Sequence, residues 1–132
     1  MTIEERAELA VQLKMQGTHN CAQAVTAALA DRTGLSEEVL KNASAGFCAG
    51  MGTMGATCGA LIGAGIVAGL ESKGTGTLML TRVLMRSFED RCGAVKCRDL
   101  KSPGPDGKPL CPCDQCVRNA VLAYGEISPQ AR

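Results

Sequence analysis

Apolar positions recur along this chain at the three- and four-residue spacing of helices. No run of β-branched residues alternates with the period of two that marks a strand. The most distinctive stretch is residues 52–70, uncharged and reading G-T-M-G-A-T-C-G-A-L-I-G-A-G-I-V-A-G-L. Gly55, Gly59 and Gly63 recur every four residues, followed by Gly65 and Gly69. On a helix such residues share a face. Each glycine costs a helix about 1 kcal/mol relative to alanine. The compensation is close approach, because a backbone without Cβ lets its neighbour come nearer. The pattern predicts a buried central helix with Cys58 in its first turns, entered through a glycine-rich turn at residues 46–52.

Flanking segments carry their own start and stop signals. Thr2 with Glu5 is a capping box opening a helix to about residue 16, with Ile3, Ala7, Ala10 and Val11 or Leu13 inward and Gly17 at its end. Asn20 with Gln23 caps a second helix over residues 21–31, and Ser36 starts a third, to residue 45. Thr77 caps a helix to residue 91 with Leu80, Val83, Leu84, Ser87 and Phe88 inward. Residues 101–109, with three prolines and two glycines, read as an exposed loop. A last helix carries Val117, Ala120, Val121 and Tyr124. The expected fold is therefore all-α, a compact bundle of about five to six helices around the glycine-rich one. Residues 1–132 read as a single domain, without a repeat or a linker.

Bulk properties narrow the chemistry. A net charge of +1 and only three aromatic residues, Phe47, Phe88 and Tyr124, argue against a nucleic-acid surface. Residues 43–70 lack charge over a bilayer-spanning length, but glycines break the run and its strongly apolar part, residues 58–70, is too short to cross. No membrane span is expected. Met51, Met54, Met79 and Met85 read as core or turn fillers.

The eight cysteines change the picture: Cys21, Cys48, Cys58, Cys92, Cys97, Cys111, Cys113 and Cys116. The N-terminal residues are acidic and amphipathic, without the apolar core of an export signal. The expectation is a cytoplasmic protein, where clustered cysteines serve metal or redox chemistry more often than structural disulfides. Cys21 follows a helix cap, a position that favours thiolate. Lys96 and Arg98 flank Cys97, as solvated charges or as groups lowering its pKa. His19, two residues before Cys21, reads as a loop residue with a ligand role as the alternative. The local spacings are C-x4-C at Cys92 and Cys97 and C-x-C-x2-C at Cys111, Cys113 and Cys116. Neither is a zinc ribbon, a complete ferredoxin pattern or a c-type haem site. Cys113-Asp-Gln-Cys116 is a C-x-x-C pair without the βαβ context of a thioredoxin.

The order Asn20-Cys21-Ala-Gln-Ala-Val, Thr57-Cys58-Gly59-Ala60-Leu-Ile-Gly63, Cys97-Arg-Asp-Leu100 and Cys116 before an apolar helix resembles the C-GCAxxG-C-C family of small redox-type proteins. A related module occurs in split-Soret-type cytochromes. The resemblance spans nearly the whole chain and is most specific at Cys58 to Gly63. It implies an all-helical redox domain, with Cys21, Cys58, Cys97 and Cys116 holding an iron–sulfur cluster. Cys48, Cys92, Cys111 and Cys113 are extra to that pattern: resolving thiols, ligands of a second metal, or bystanders, the last being the reading for Cys48.

Four functions follow as expectations: electron transfer through an iron–sulfur cluster, metal-free thiol–disulfide exchange, a structural zinc site, and a membrane-associated module. The first implies an electron-transfer partner protein, and a homodimer stays open.

Overall fold

The computed structural model describes residues 1–128. Among these residues seven α-helices succeed one another: α1 (Ile3–Met15), α2 (Cys21–Ala28), α3 (Glu37–Ser44), α4 (Gly59–Ser72), α5 (Thr77–Cys92), α6 (Cys97–Lys101) and α7 (Cys113–Ile127). The described residues contain no strand, only isolated bridges pairing Thr57 with Lys96 and Pro103 with Pro109. The fold is all-α, with one helix more than expected because the five-residue α6 is too short to leave a periodic pattern.

The first two helices start as their sequences dictate. The Thr2 hydroxyl accepts the Glu5 amide at 3.1 Å while the Glu5 carboxylate accepts the Thr2 amide at 2.8 Å. Asn20 and Gln23 repeat the exchange at 3.0 Å each way. Each box satisfies amides that a helix start otherwise leaves unpaired. α2 ends at Ala28 rather than residue 31, and Ala30–Arg32 continue as a 3-10 turn.

α4 lies inside the bundle against α2, α5 and α7, and α7 also packs on α1 and α2. The core is mainly Ala, Leu and Val around the fully buried Phe88 and Tyr124. Two glycines of α4 make the predicted close approach. A Cβ on Gly59 would lie 2.5 Å from the Phe47 carbonyl oxygen and 3.0 Å from the Cys21 sulfur. One on Gly63 would lie 2.8 Å from the Ala22 carbonyl oxygen. The stripe is narrower than the sequence suggests: Gly65 faces open space, and Gly55 lies outside the helix.

The central helix also begins later than its composition suggests. Residues 50–54 coil into a tight turn, with Ala49, Met51 and Met54 left-handed at φ 54°, 61° and 61°. Such residues are strained by about 1 kcal/mol or more each. The turn forms a wall of the site described below.

α5 departs most from its pattern. Its cap is Gly76 at φ 72°, and the Thr77 hydroxyl pairs instead with that of Ser72 at 2.6 Å. Leu84, Ser87, Phe88 and Cys92 turn inward, but Val83, Met79 and Met85 are exposed, as are Met51 and Met54. Met79 and Met85 are therefore not core fillers, while Met51 and Met54 belong to the 50–54 turn. Leu78 and Met85 line an open apolar groove of about 660 Å³ with Leu61, Ile62 and Ile66 of α4. No described helix is long and apolar enough to cross a membrane. At the other end of α4, Glu71 accepts hydrogen bonds from Tyr124, Ser128 and Arg32 and so ties α4 to α7.

Candidate functional site

Backbone pairing sets up the site before any side chain does. The Cys58 amide donates to the Val95 carbonyl at 2.8 Å, and the Cys97 amide donates to the Ala56 carbonyl at 3.0 Å. Segments 56–58 and 95–97 thus run side by side and bring two cysteines distant in sequence together. Cys58 then directly precedes α4, and Cys97 is the first residue of α6. Cys21 opens α2, whose start is held against α4 by the bare backbone of Gly59. Cys116 sits in the first turn of α7, which Cys113 begins.

These elements converge on a cavity of about 140 Å³. Cys21, Cys58, Cys97 and Cys116 all line it, each buried. Cys48 and Cys113, both half-buried, line it as well. The Cys48 sulfur lies 3.6 Å from that of Cys21, so the residue read as a bystander stands at the wall. Both members of the C-x-x-C pair face the cavity. His19 does not line it; its ring pairs with the Thr18 hydroxyl at 2.8 Å.

Cys92 and Cys111 stand outside the cavity, but their sulfurs and that of Cys116 lie within 4.8 Å of one another, a group that can hold a metal ion. Cys116 therefore belongs to both groupings.

Two lysines, Lys14 and Lys101, line the cavity, and among the described residues no carboxylate does. The Lys101 ammonium lies 3.9 Å from the Cys116 sulfur and 3.5 Å from the Cys111 carbonyl oxygen. Burial opposes its charge, yet the facing sulfurs of Cys116 and Cys113 hold it above its ordinary pKa. Sequence reasoning assigned Lys101 to the exposed loop, since Pro103 follows closely. Its position four residues after Cys97, one helical turn along, is the signal that places it on the same face.

The thiols are not equivalent. Cys58 is lowered to about 7 by the adjoining Cys116 thiol, against the effect of burial, with help from the Ala60 and Leu61 amides and from Lys101. Cys21 is pushed up to about 12 by burial and by the neighbouring Cys48 and Cys58. The helix-start effect expected to make Cys21 a thiolate is outweighed by desolvation. Burial also raises Cys97, and the group opposing that rise is Lys101 rather than flanking Lys96 or Arg98. Outside the cavity, contact with Cys116 and Cys92 lowers Cys111 to about 3, while contact with Cys111 raises Cys92 to about 12.

A titration follows from this ordering. In the metal-free chain, thiolate absorbance should rise in a step near pH 7 that Cys58→Ser removes. The Cys58 contribution to stability is complete above its ordinary value of 9.0 and fades as pH falls through about 7, since the folded thiol is the stronger acid. An unchanged step in the variant would assign that proton elsewhere.

No curated protein and no solved structure matches the chain. A family model described as "Putative redox-active protein (C_GCAxxG_C_C)" matches residues 19–127, a span holding all eight cysteines and every element that lines the cavity except α1. The chain belongs to the C_GCAxxG_C_C family of redox-active proteins.

Proposed function

We propose that this protein transfers electrons through an iron–sulfur cluster held in the cavity by Cys21, Cys58, Cys97 and Cys116. The observation that carries the reading is the convergence of these four buried sulfurs, from four separate segments, on one space. Its size favours a cluster over a lone zinc ion. Zinc–sulfur bonds of about 2.3 Å place the sulfurs of a tetrahedral site about 3.8 Å apart, which leaves no void between them. A space of about 140 Å³ is several times the roughly 30 Å³ that a water molecule occupies in the liquid. Soft thiolate donors suit iron–sulfur chemistry.

When bound, the cluster supplies one-electron oxidation and reduction. The chain's own residues do the rest. Gly59 lets α2 and α4 close up so that Cys21 reaches the cavity. The paired segments 56–58 and 95–97 set Cys58 beside Cys97. Lys101 and Lys14 offset the negative charge that thiolates and sulfide bring. Burial of all four sulfurs keeps water from them. The electron-exchange partner is taken to be another redox protein. A reducing, cytoplasmic setting, where thiols stay free for metal or redox chemistry, is part of this reading.

Protein purified without oxygen should be brown and contain iron and sulfide. Lys101→Gln should shift its reduction potential to more negative values, because a cation beside the site favours the reduced, more negative state. A specific observation favours a second reading, metal-free thiol–disulfide exchange: the 3.6 Å separation of the Cys21 and Cys48 sulfurs. There, two thiols become one disulfide, and two electrons and two protons pass to an external disulfide. Colourless, iron-free anaerobic protein that gains two thiols per chain on reduction would replace the first reading with this one.

A further inference from the structure

Cys92 and Cys111 are neither among the family's four positions nor on the cavity wall, yet they are buried in contact with a sulfur that is. We propose that Cys92, Cys111 and Cys116 form a separate mononuclear site for one thiophilic ion with a filled d shell, zinc or copper(I), sharing the Cys116 sulfur with the cavity.

The three sulfurs are held by backbone that is already fixed. Cys92 ends α5, closed by the Gly93 amide donating to the Glu89 carbonyl at 2.7 Å. Cys111 ends the long loop, and its amide donates to the Leu100 carbonyl at 3.0 Å. The Cys116 amide donates to the Pro112 carbonyl at 2.9 Å in the first turn of α7. The sulfurs lie within 4.8 Å of one another, and an ion bonded at about 2.3 Å needs them about 3.8 Å apart. Side-chain rotation of under an ångström per sulfur closes that gap, and no helix has to move.

The surroundings suit such an ion. All three residues are buried, with Cys116 at 0 % exposure, so water competes poorly. The Asn119 amide nitrogen donates to the Cys92 sulfur at 3.3 Å, and Lys101 lies near the Cys116 sulfur. Donors of this kind orient and tune thiolate ligands. The group contains no oxygen ligand, which disfavours magnesium and calcium. Copper(I) is satisfied by three sulfurs, whereas zinc would need a fourth ligand that these three residues do not supply. Binding releases the protons of the thiols that carry them and involves no change of oxidation state. A thiolate sulfur has lone pairs for two metals, so Cys116 can serve both places.

The test uses the full-length chain, reduced and metal-free under anaerobic conditions, with zinc or copper(I) added in separate arms. Bound ion is counted after desalting, and each cysteine's alkylation rate is mapped by mass spectrometry. We expect one ion per chain, with alkylation of Cys92 and Cys111 suppressed by the bound ion and that of Cys48 little changed. Protection by zinc or only by copper(I) assigns the ion. Cys92→Ser and Cys111→Ser should each weaken binding by a similar factor, Cys48→Ser should not, and X-ray absorption should find three sulfurs around the metal. The alkylation map needs no variant, so a misfolded mutant does not leave the question open. The proposal is overturned if neither ion protects Cys92 and Cys111. It is also overturned if a folded Cys92→Ser protein reconstituted with iron and sulfide loses its iron, which would make Cys92 a cluster ligand. Iron-free wild-type protein that still shows zinc or copper(I) protection would sink only the cluster reading.

Discussion

Cys116→Ser should abolish the proposed iron binding: iron per chain in anaerobically purified protein is expected to fall about tenfold or more, and the visible absorbance with it. Cys116 is fully buried, lines the cavity and contacts Cys92 and Cys111, whereas Cys113, the other α7 thiol at that wall, is only half-buried. A serine hydroxyl is shorter and harder than a thiolate, and soft metals discriminate against it. The loss should exceed the 10- to 100-fold roughly expected from disturbing a group one step further out. Cys113→Ser is the control. Its sulfur is at the same wall but only half-buried and is not a family position, so this variant should keep most of its iron. Circular dichroism of both variants separates ligand loss from unfolding. Equal iron in Cys116→Ser and wild type would remove Cys116 from the ligand set.

The second large effect is a change of sign between two glycines on one helix. Gly63→Ala places a Cβ 2.8 Å from the Ala22 carbonyl oxygen and 3.4 Å from Val25 Cβ. The first of these is backbone, so relief requires α2 to shift. Overpacking of this kind costs about 1–3 kcal/mol. Alanine returns about 1 kcal/mol of helix propensity. The net expectation is a loss of up to about 2 kcal/mol. Gly65→Ala meets nothing within 4 Å, so it keeps the propensity gain alone and stabilises by about 0.5–1 kcal/mol. Thermal melts of the two variants should move in opposite directions, by a few degrees for each kcal/mol. If both melt higher than wild type, α2 and α4 are not in the close contact on which the position of Cys21 depends. Iron content should follow the same order, because the α2–α4 contact carries Cys21 to the cavity.

Local interactions were legible in the amino-acid order wherever they close within a few residues. The capping boxes at Thr2 and Asn20 are three residues long and formed as written. The inward stripe of α7, Val117, Ala120, Val121 and Tyr124, is a helical repeat on one buried face. The α5 stripe failed in part because helical periodicity says which residues share a face but not how much of that face finds a partner. α5 meets α7 and α4 along a narrow band, leaving Val83 and two methionines outside. The start of α4 was misplaced because glycine-rich composition does not distinguish a helix that needs close packing from a turn that needs left-handed backbone.

The site divides along the same line. Amino-acid order alone determined an all-helical chain, its main caps, its glycine-faced helix and the four cysteines at family spacing, since each depends on short-range geometry or on a motif. Only the tertiary structure decided that Cys48, Cys113 and Lys101 share a cavity with those four, and that Cys92 and Cys111 gather instead around the hidden side of Cys116. Those placements depend on the pairing of segments 56–58 and 95–97 and on the return of the 102–111 loop to Leu100. Such long-range hydrogen bonds leave no periodic mark in a sequence, and the thiol acidities follow them, because burial and neighbouring charge are properties of the folded chain.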